Sequence, residues 1–183
     1  RIDKTRKAIN MLVEKINLPM VIDADAIRAV SVIKNKLKGK KILLTPHVNE
    51  MLELTSVQVS ENIKDRIDKV RKEAYKINCG KDNTCPLYPP ITIVLKGNVD
   101  VVSNGKEVVL NDTGTPLMTK GGCGDTLTGI AGALLAKKVD TFTAGCVAAY
   151  INGEAGELAA KDYGEGLLPT DLIEKIPAVI KSG

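Results

Sequence analysis

Lys120-Gly121-Gly122-Cys123-Gly124-Asp125-Thr126-Leu127-Thr128-Gly129 joins a glycine turn directly to an apolar helical pattern continued by Ile130, Ala131, Leu134 and Leu135. Glycine lets a backbone turn sharply and approach a ligand closely. A helix start aims unpaired N–H groups and the positive end of its dipole at whatever lies before it. Together they make an anion site with one carboxylate, Asp125, at its edge, as phosphoryl transfer requires. Taken alone, the same residues read equally as a glycine-rich turn with Asp125 capping the helix.

Working outward from this loop, short apolar runs alternate with helical periodicity. Thr5 to Ile16 carries Ile9, Leu12, Val13 and Ile16 on one helical face, and Pro19 ends it. Met20-Val21-Ile22, Ile42-Leu43-Leu44 and Ile91 to Leu95 read as buried strands. Ala26 to Ile33 and Ser60 to Ile77 read as helices between them. Val99 to Val102 and Val108 to Leu110 flank Asn104-Gly105, a preferred hairpin turn. After the glycine loop come a helix over Thr141 to Ala160, dense in Ala and Gly, and a short one over Thr170 to Ile176. This alternation predicts an α/β fold with a mostly parallel sheet covered on both faces. The whole chain, residues 1–183, reads as a single domain.

In such folds ligands bind beyond the carboxyl ends of the strands. The polar clusters sit where strands end: Asp23 and Asp25, Thr45 with His47, Asn49 and Glu50, and Lys96 with Asn98. Asp23 is placed in the site, where a carboxylate can position a hydroxyl or a magnesium-bound water, whereas Asp25 serves equally well as a cap. His47, the one histidine, leaves a strand and is placed in the site; Glu50 is also explained by the helix dipole alone. Lys96 beside Gly97 either reaches a nucleotide phosphate as a point charge or simply carries the strand end into water.

Composition excludes several classes. At 183 residues the chain can bury a sizeable core, and 44% hydrophobic with 26% charged residues is ordinary for a soluble globular protein. No apolar run approaches the roughly 18 residues of a membrane span, and a cytoplasmic protein without membrane partners is expected. The net charge of +4 is mild, and one Phe, four Tyr and no Trp leave few rings for base stacking, against nucleic-acid binding. The four cysteines form no CxxC pair, and no protein metal site is expected. Cys79 and Cys85 flank a polar loop and either pair locally or stay as free thiols, the cytosolic default. Cys123 is read as a small residue between glycines rather than a nucleophile.

In order and spacing, these pieces resemble the ribokinase-like superfamily, and within it the ADP- or ATP-dependent NAD(P)H-hydrate dehydratases. The resemblance runs through Val21-Ile22-Asp23-Ala24-Asp25-Ala26, Leu44-Thr45-Pro46-His47 with Glu50, Val94-Leu95-Lys96-Gly97, the glycine loop, Asn152-Gly153-Glu154-Ala155-Gly156 and Gly166 to Leu172. It implies repair of hydrated NADH or NADPH: a phosphoryl group from ADP or ATP goes to the hydroxyl of the damaged ring, and phosphate is then eliminated. It implies Asp125 as catalytic base in contact with substrate, with His47 and Asp23 also at the substrate. It implies the N–H groups of Gly122, Cys123 and Gly124 around the transferring group. Lys96, Gly97, Asn98, Val99 and Asp100, with Gly124, would line the nucleotide, and Mg2+ would accompany it.

The pattern departs from the family in three places. The family's domain opens with further βα units, so the resemblance implies a fragment or split domain. Its exposed sheet edge would favour a homo-oligomer or a partner chain supplying the N-terminal part. Asn78 to Pro90 is a family-atypical loop, and Val99-Asp100 replaces the small residues usual after the lysine–glycine pair. Two other functions share the motifs. One is a ribokinase-like kinase for a hydroxymethylpyrimidine or pyridoxal; the thiazole kinases tend to carry Cys at the Asp125 position. The other is a nucleotide-binding half inactive without a partner.

Overall fold

The computed structural model describes residues 2–80, 84–88 and 90–182. Helix α1 (Ile2–Lys15) leads to strand β1 (Met20–Ile22), and α2 (Asp25–Val30), extended by a 3-10 segment (Ser31–Lys36), leads to β2 (Ile42–Leu44). Helices α3 (Val48–Thr55) and α4 (Ile63–Cys79) precede β3 (Ile91–Leu95), β4 (Asp100–Ser103) and β5 (Val108–Asn111). Helices α5 (Cys123–Ala136), α6 (Thr141–Tyr163) and α7 (Pro169–Ser182) complete the order.

The five strands lie side by side in sequence order. β1, β2 and β3 pair in parallel, while β3–β4 and β4–β5 are antiparallel, so β5 runs with the first three. The sheet is mixed but mostly parallel, as the alternation predicts.

Strand residues alternate between faces, and the core divides accordingly. Ile42, Leu44, Ile91, Ile93 and Leu95 pack with Ile27, Val30, Met51, Leu54, Val70 and Ala74 from α2, α3 and α4. Leu43, Val94 and Val102 pack on the opposite face with Leu127, Ala131 and Leu135 of α5 and Ala144 and Ala148 of α6. The small residues of α6 let it lie directly on the sheet. A Cβ on Gly145 would stand 3.0 Å from Leu43 Cδ1 and 3.1 Å from Val94 Cγ2. Further along, Gly156 backs onto Met118.

Several local readings resolve differently in three dimensions. The Asn104-Gly105 turn is a four-residue loop, since Ser103 pairs with Val108 and the Asn104 side chain accepts from the N–H groups of Lys106 and Glu107. Gly105 adopts φ +93°, and a Cβ there would meet the Tyr75 backbone at 2.6 Å. Asp25 caps nothing: α2 has Ala24 at its N-cap without a side-chain bond, and Asp25 is exposed, 3.7 Å from Arg28. Cys79 and Cys85 are joined in a disulfide, and Cys123 and Cys146 are free. Beside the disulfide, buried Asn78 ties α4 to β3 and the hairpin loop. Its Nδ2 donates to the carbonyls of Ala74, Ile91 and Asn104, and its Oδ1 accepts from the Ile91 N–H. Of the family-atypical loop, residues 81–83 and 89 lie outside the described residues.

Candidate active site

Because β1, β2, β3 and β5 run together, their carboxyl ends bring Asp23, Thr45, Lys96 and Asp112 to one edge of the sheet. The antiparallel β4 begins there with Asp100, opposite Asn111. The ladder continues past the strands: Thr45 N–H donates to Ile22 O, and Lys96 N–H donates to Pro46 O at 2.8 Å. Parallel topology thus gathers chemistry dispersed over 90 residues of chain onto one rim.

Lys96 is the centre of the rim. Its Nζ donates to Asp23 Oδ1 at 2.8 Å and stands 3.8 Å from Glu50 Oε2. Asp23 Oδ2 accepts from Thr128 Oγ1 on α5 at 3.1 Å. Burial works to raise the Asp23 pKa, but the Lys96 hydrogen bond and charge, with Thr45 and the Ala24 N–H, hold it below the ordinary carboxylate value. Asp23 is therefore a charged, anchored group at neutral pH rather than a proton carrier.

The same pair sits against the start of α5. A Cβ on Gly124 would lie 3.4 Å from Lys96 Nζ and 3.7 Å from Asp23 Oδ2. Gly122, at the N-cap, has φ +105°, and Pro169 would block a Cβ at 2.7 Å; there glycine is required by both backbone and packing. The Cys123 N–H leans toward the Lys120 carbonyl at 3.4 Å. Burial pushes the Cys123 thiol up in pKa, against a nucleophilic role. Thr126 locks the turn: its Oγ1 lies 2.7 Å from both Cys123 O and the buried Asn152 Oδ1 of α6, which share its single hydroxyl proton.

His47 has a structural task that its rarity in the chain concealed. It is the N-cap of α3, its Nδ1 accepting from the N–H groups of Asn49 and Glu50. Glu50 reciprocates by accepting from the His47 N–H at 2.8 Å, a capping box built with an imidazole. The exposed ring nevertheless lines a cavity of about 470 Å³.

That cavity is walled by His47, Lys96, Gly97, Asn98 and Asp100 on one side and by Cys123, Gly124 and Leu127 on another, with Asp112 to Pro116 and the small residues Ala149 and Gly153 completing it. Asp100 is held there by the Gly97 N–H (3.0 Å) and Asn111 Nδ2 (3.3 Å), and burial pushes its pKa up. Val99 belongs instead to a second cavity behind the loop, with Arg66, Glu61, Ile63 and Val48. Asp125 does not line the first cavity. It is exposed in the first turn of α5, without a hydrogen bond or ion pair among the described residues. The carboxylate is thus beside the anion site, on open surface.

Sequence reasoning missed Arg66 and Asn152. Arg66 stands in a helix otherwise rich in exposed charge, and only its burial and three carbonyl partners distinguish it. Asn152 carried a signal within its Asn-Gly-Glu-Ala-Gly run, but no spacing rule says that it fastens a loop 26 residues earlier.

A helix-covered, mostly parallel sheet with a glycine-loop helix beside the strand-end lysine is the ribokinase-like fold, shared with solved structures of that superfamily. The NAD(P)H-hydrate dehydratase family model matches residues 1–178, and the chain belongs to that family. It is similar to a bifunctional NAD(P)H-hydrate repair enzyme of Pyrobaculum aerophilum, with 37% identity over 181 residues, covering 98% of this chain and 33% of the relative. It is also similar to an ADP-dependent (S)-NAD(P)H-hydrate dehydratase of Cenarchaeum symbiosum, with 37% identity over 177 residues, 96% of this chain and 58% of that protein. Among solved structures, the ADP/ATP-dependent NAD(P)H-hydrate dehydratase of Bacillus subtilis, co-crystallised with ATP and Mg2+, superposes with a TM-score of 0.75 at 28% identity, over 98% of this chain and 60% of that one. The chain therefore spans between a third and three-fifths of the length of these relatives. No helix among the described residues is long and apolar enough to cross a membrane.

Proposed function

We propose that this chain carries the nucleotide-dependent dehydration of hydrated NADH or NADPH, with ADP or ATP as phosphoryl donor. The observation that carries the reading is the convergence of Lys96 Nζ and Asp23 on Gly124, at the first turn of α5 and the wall of the first cavity. A fixed cation and a helix N-terminus facing one space are suited to a phosphate.

On this reading Lys96 and the loop through Asp100 hold the nucleotide in the cavity. The Gly122, Cys123 and Gly124 backbone receives charge developing on the transferring group. Asp125 deprotonates or orients the substrate hydroxyl, whose oxygen takes the terminal phosphoryl group as the donor's P–O bond breaks and the shortened nucleotide leaves. The ester C–O bond then breaks to release phosphate, a proton is lost from the adjacent ring carbon, and the ring double bond is restored. Among the described residues no cluster of three or more His, Cys, Asp or Glu side chains could hold a metal ion. The donor set thus fits Mg2+ as the counter-ion of the nucleotide, where it neutralises phosphate charge, rather than as a caged protein metal.

The exposure of Asp125 bears on the state in which the chain works, because phosphoryl transfer to a hydroxyl needs water excluded from the reacting group. Asp23 directly follows β1, an edge strand among the described residues against which α5 packs, and Met11 and Leu12 on α1 and Leu18 just before β1 are exposed apolar residues. We place a covering partner there, a second copy or a chain supplying further βα units, with residues 1–183 forming one domain of the working enzyme.

The test is the return of NADH absorbance from hydrated NADH, run with ADP and with ATP on the isolated protein and on its native assembly. Asp125→Ala and Asp125→Asn should abolish turnover while leaving the melting temperature within about 1–2 °C, because an exposed residue without partners holds nothing together. Turnover retained in either variant excludes Asp125 as the base.

A further inference from the structure

The loop after β3 is shaped from behind by a buried cation that plays no part in the mechanism above. Arg66, on α4, is only 7% exposed. Its Nη2 donates to three carbonyl oxygens of one short segment: Leu95 at 3.4 Å, Lys96 at 3.3 Å and Val99 at 3.2 Å. The guanidinium presses against Gly97 so closely that a Cβ there would lie 2.9 Å from Arg66 Cζ. Arg66 Nε is buried without a hydrogen-bond partner. A side chain held at that expense, with its charge desolvated, has been placed for the carbonyls it gathers.

The consequence follows from the planarity of the peptide. All peptide bonds described are trans, and in a trans peptide each N–H points opposite to the preceding C=O. With the Leu95 carbonyl drawn to Arg66, the Lys96 N–H points away and meets Pro46 O. With the Lys96 carbonyl drawn the same way, the Gly97 N–H points away and meets Asp100 Oδ1, on the cavity side. The Val99 carbonyl turns the Asp100 N–H likewise. Acceptors are thus collected on the α4 side, and donors face the opposite side.

We propose that Arg66 is a positioning residue for the nucleotide. Its guanidinium gathers the carbonyls of Leu95, Lys96 and Val99 and so keeps acceptor oxygens off the loop face that meets the phosphates. The proposal rests on the reading of the first cavity, lined by His47, Lys96 and Gly124, as the nucleotide site. Lysine replaces Arg66 only in part, because a point charge on a flexible stem lacks the planar fork that holds its donors in fixed directions.

The test compares calorimetric affinities for ADP and for adenosine, which lacks phosphate, in wild type, Arg66→Met and Arg66→Lys. Arg66→Met should weaken ADP by about tenfold or more, the scale of hydrogen bonds to a charged group, and leave adenosine unchanged. Arg66→Lys should show the same ADP-selective loss to a smaller degree, and it stands as the test if the methionine variant does not fold. Equal losses for both ligands would reduce Arg66 to a general structural brace, and no loss for either would remove it from the site; both outcomes overturn the proposal. A wild-type chain that binds adenosine but gains nothing from the phosphates overturns the nucleotide-site reading and the role of Arg66 with it.

Discussion

Replacing Gly124 by alanine should make the protein more stable and its nucleotide binding worse. Gly124 is the second residue of α5, with helical backbone, so alanine is tolerated and lowers the entropy of the unfolded chain. Glycine in a helix costs roughly 0.5–1 kcal/mol relative to alanine; the lower end applies in a first turn, where fewer backbone bonds depend on the residue. For a domain of this size that is a rise in melting temperature of about 1–2 °C. The new methyl meets Lys96 Nζ at 3.4 Å and Asp23 Oδ2 at 3.7 Å, both ordinary contacts, so the free protein need not shift. A phosphate oxygen, however, must come within about 3 Å of an N–H donor or an ammonium, and the methyl occupies the approach. Overpacking a formed site costs about 1–3 kcal/mol, which is about 5- to 150-fold in dissociation constant. The assay is a thermal melt paired with ADP titration calorimetry on the same preparation. A melting temperature that rises while ADP affinity stays put would refute the anion-site reasoning and leave a capped glycine turn. A melting temperature that falls would mean that the space beside Gly124 is not free.

Asn78→Ala removes four hydrogen bonds that splice α4, β3 and the hairpin loop. With buried backbone groups left unpaired it should cost about 3–5 kcal/mol, or about 6–20 °C in melting temperature; a loss below about 1 kcal/mol would show that water or a neighbour replaces it. Asp23 sets an acid limit. Its folded pKa is lowered, so its contribution is fully present above the unfolded carboxyl pKa and is lost as pH falls through the lower folded value. Asp23→Asn should therefore lose about 1–3 kcal/mol at pH 7 and show a shallower acid limb in urea titrations as pH falls below the ordinary carboxyl pKa toward the lower folded value. An unchanged limb would mean that the Lys96 pair contributes nothing to folding.

Much of the fold was legible because its signals are local. Buried strands of three to five apolar residues, amphipathic helices and the glycine turn each announce themselves within one window of sequence, and their alternation implies a two-faced parallel sheet. The strand-end clusters were legible for the same reason: once strands are placed, topology says which residues share a rim. The helix starts were read less well. Asp25, at a favoured capping position, caps nothing, whereas His47 caps α3 through Nδ1, a use of imidazole that residue preferences do not rank. The Asn104 turn was placed correctly, but its length depends on strand register.

The sequence by itself determined the order of the elements, the loop that opens α5 and the set of polar residues available to a site, because propensity, periodicity and glycine are properties of neighbours along the chain. Only the tertiary structure decided how those residues are used. It paired Lys96 with Asp23 across 73 residues, set Arg66 beneath the loop that Lys96 begins, and left Asp125 open beside the cavity rather than within it. The reason is that partnership and exposure depend on which surfaces are brought together by packing. A lysine, an arginine or an aspartate has the same local signature whether it faces water, a carbonyl or a ligand.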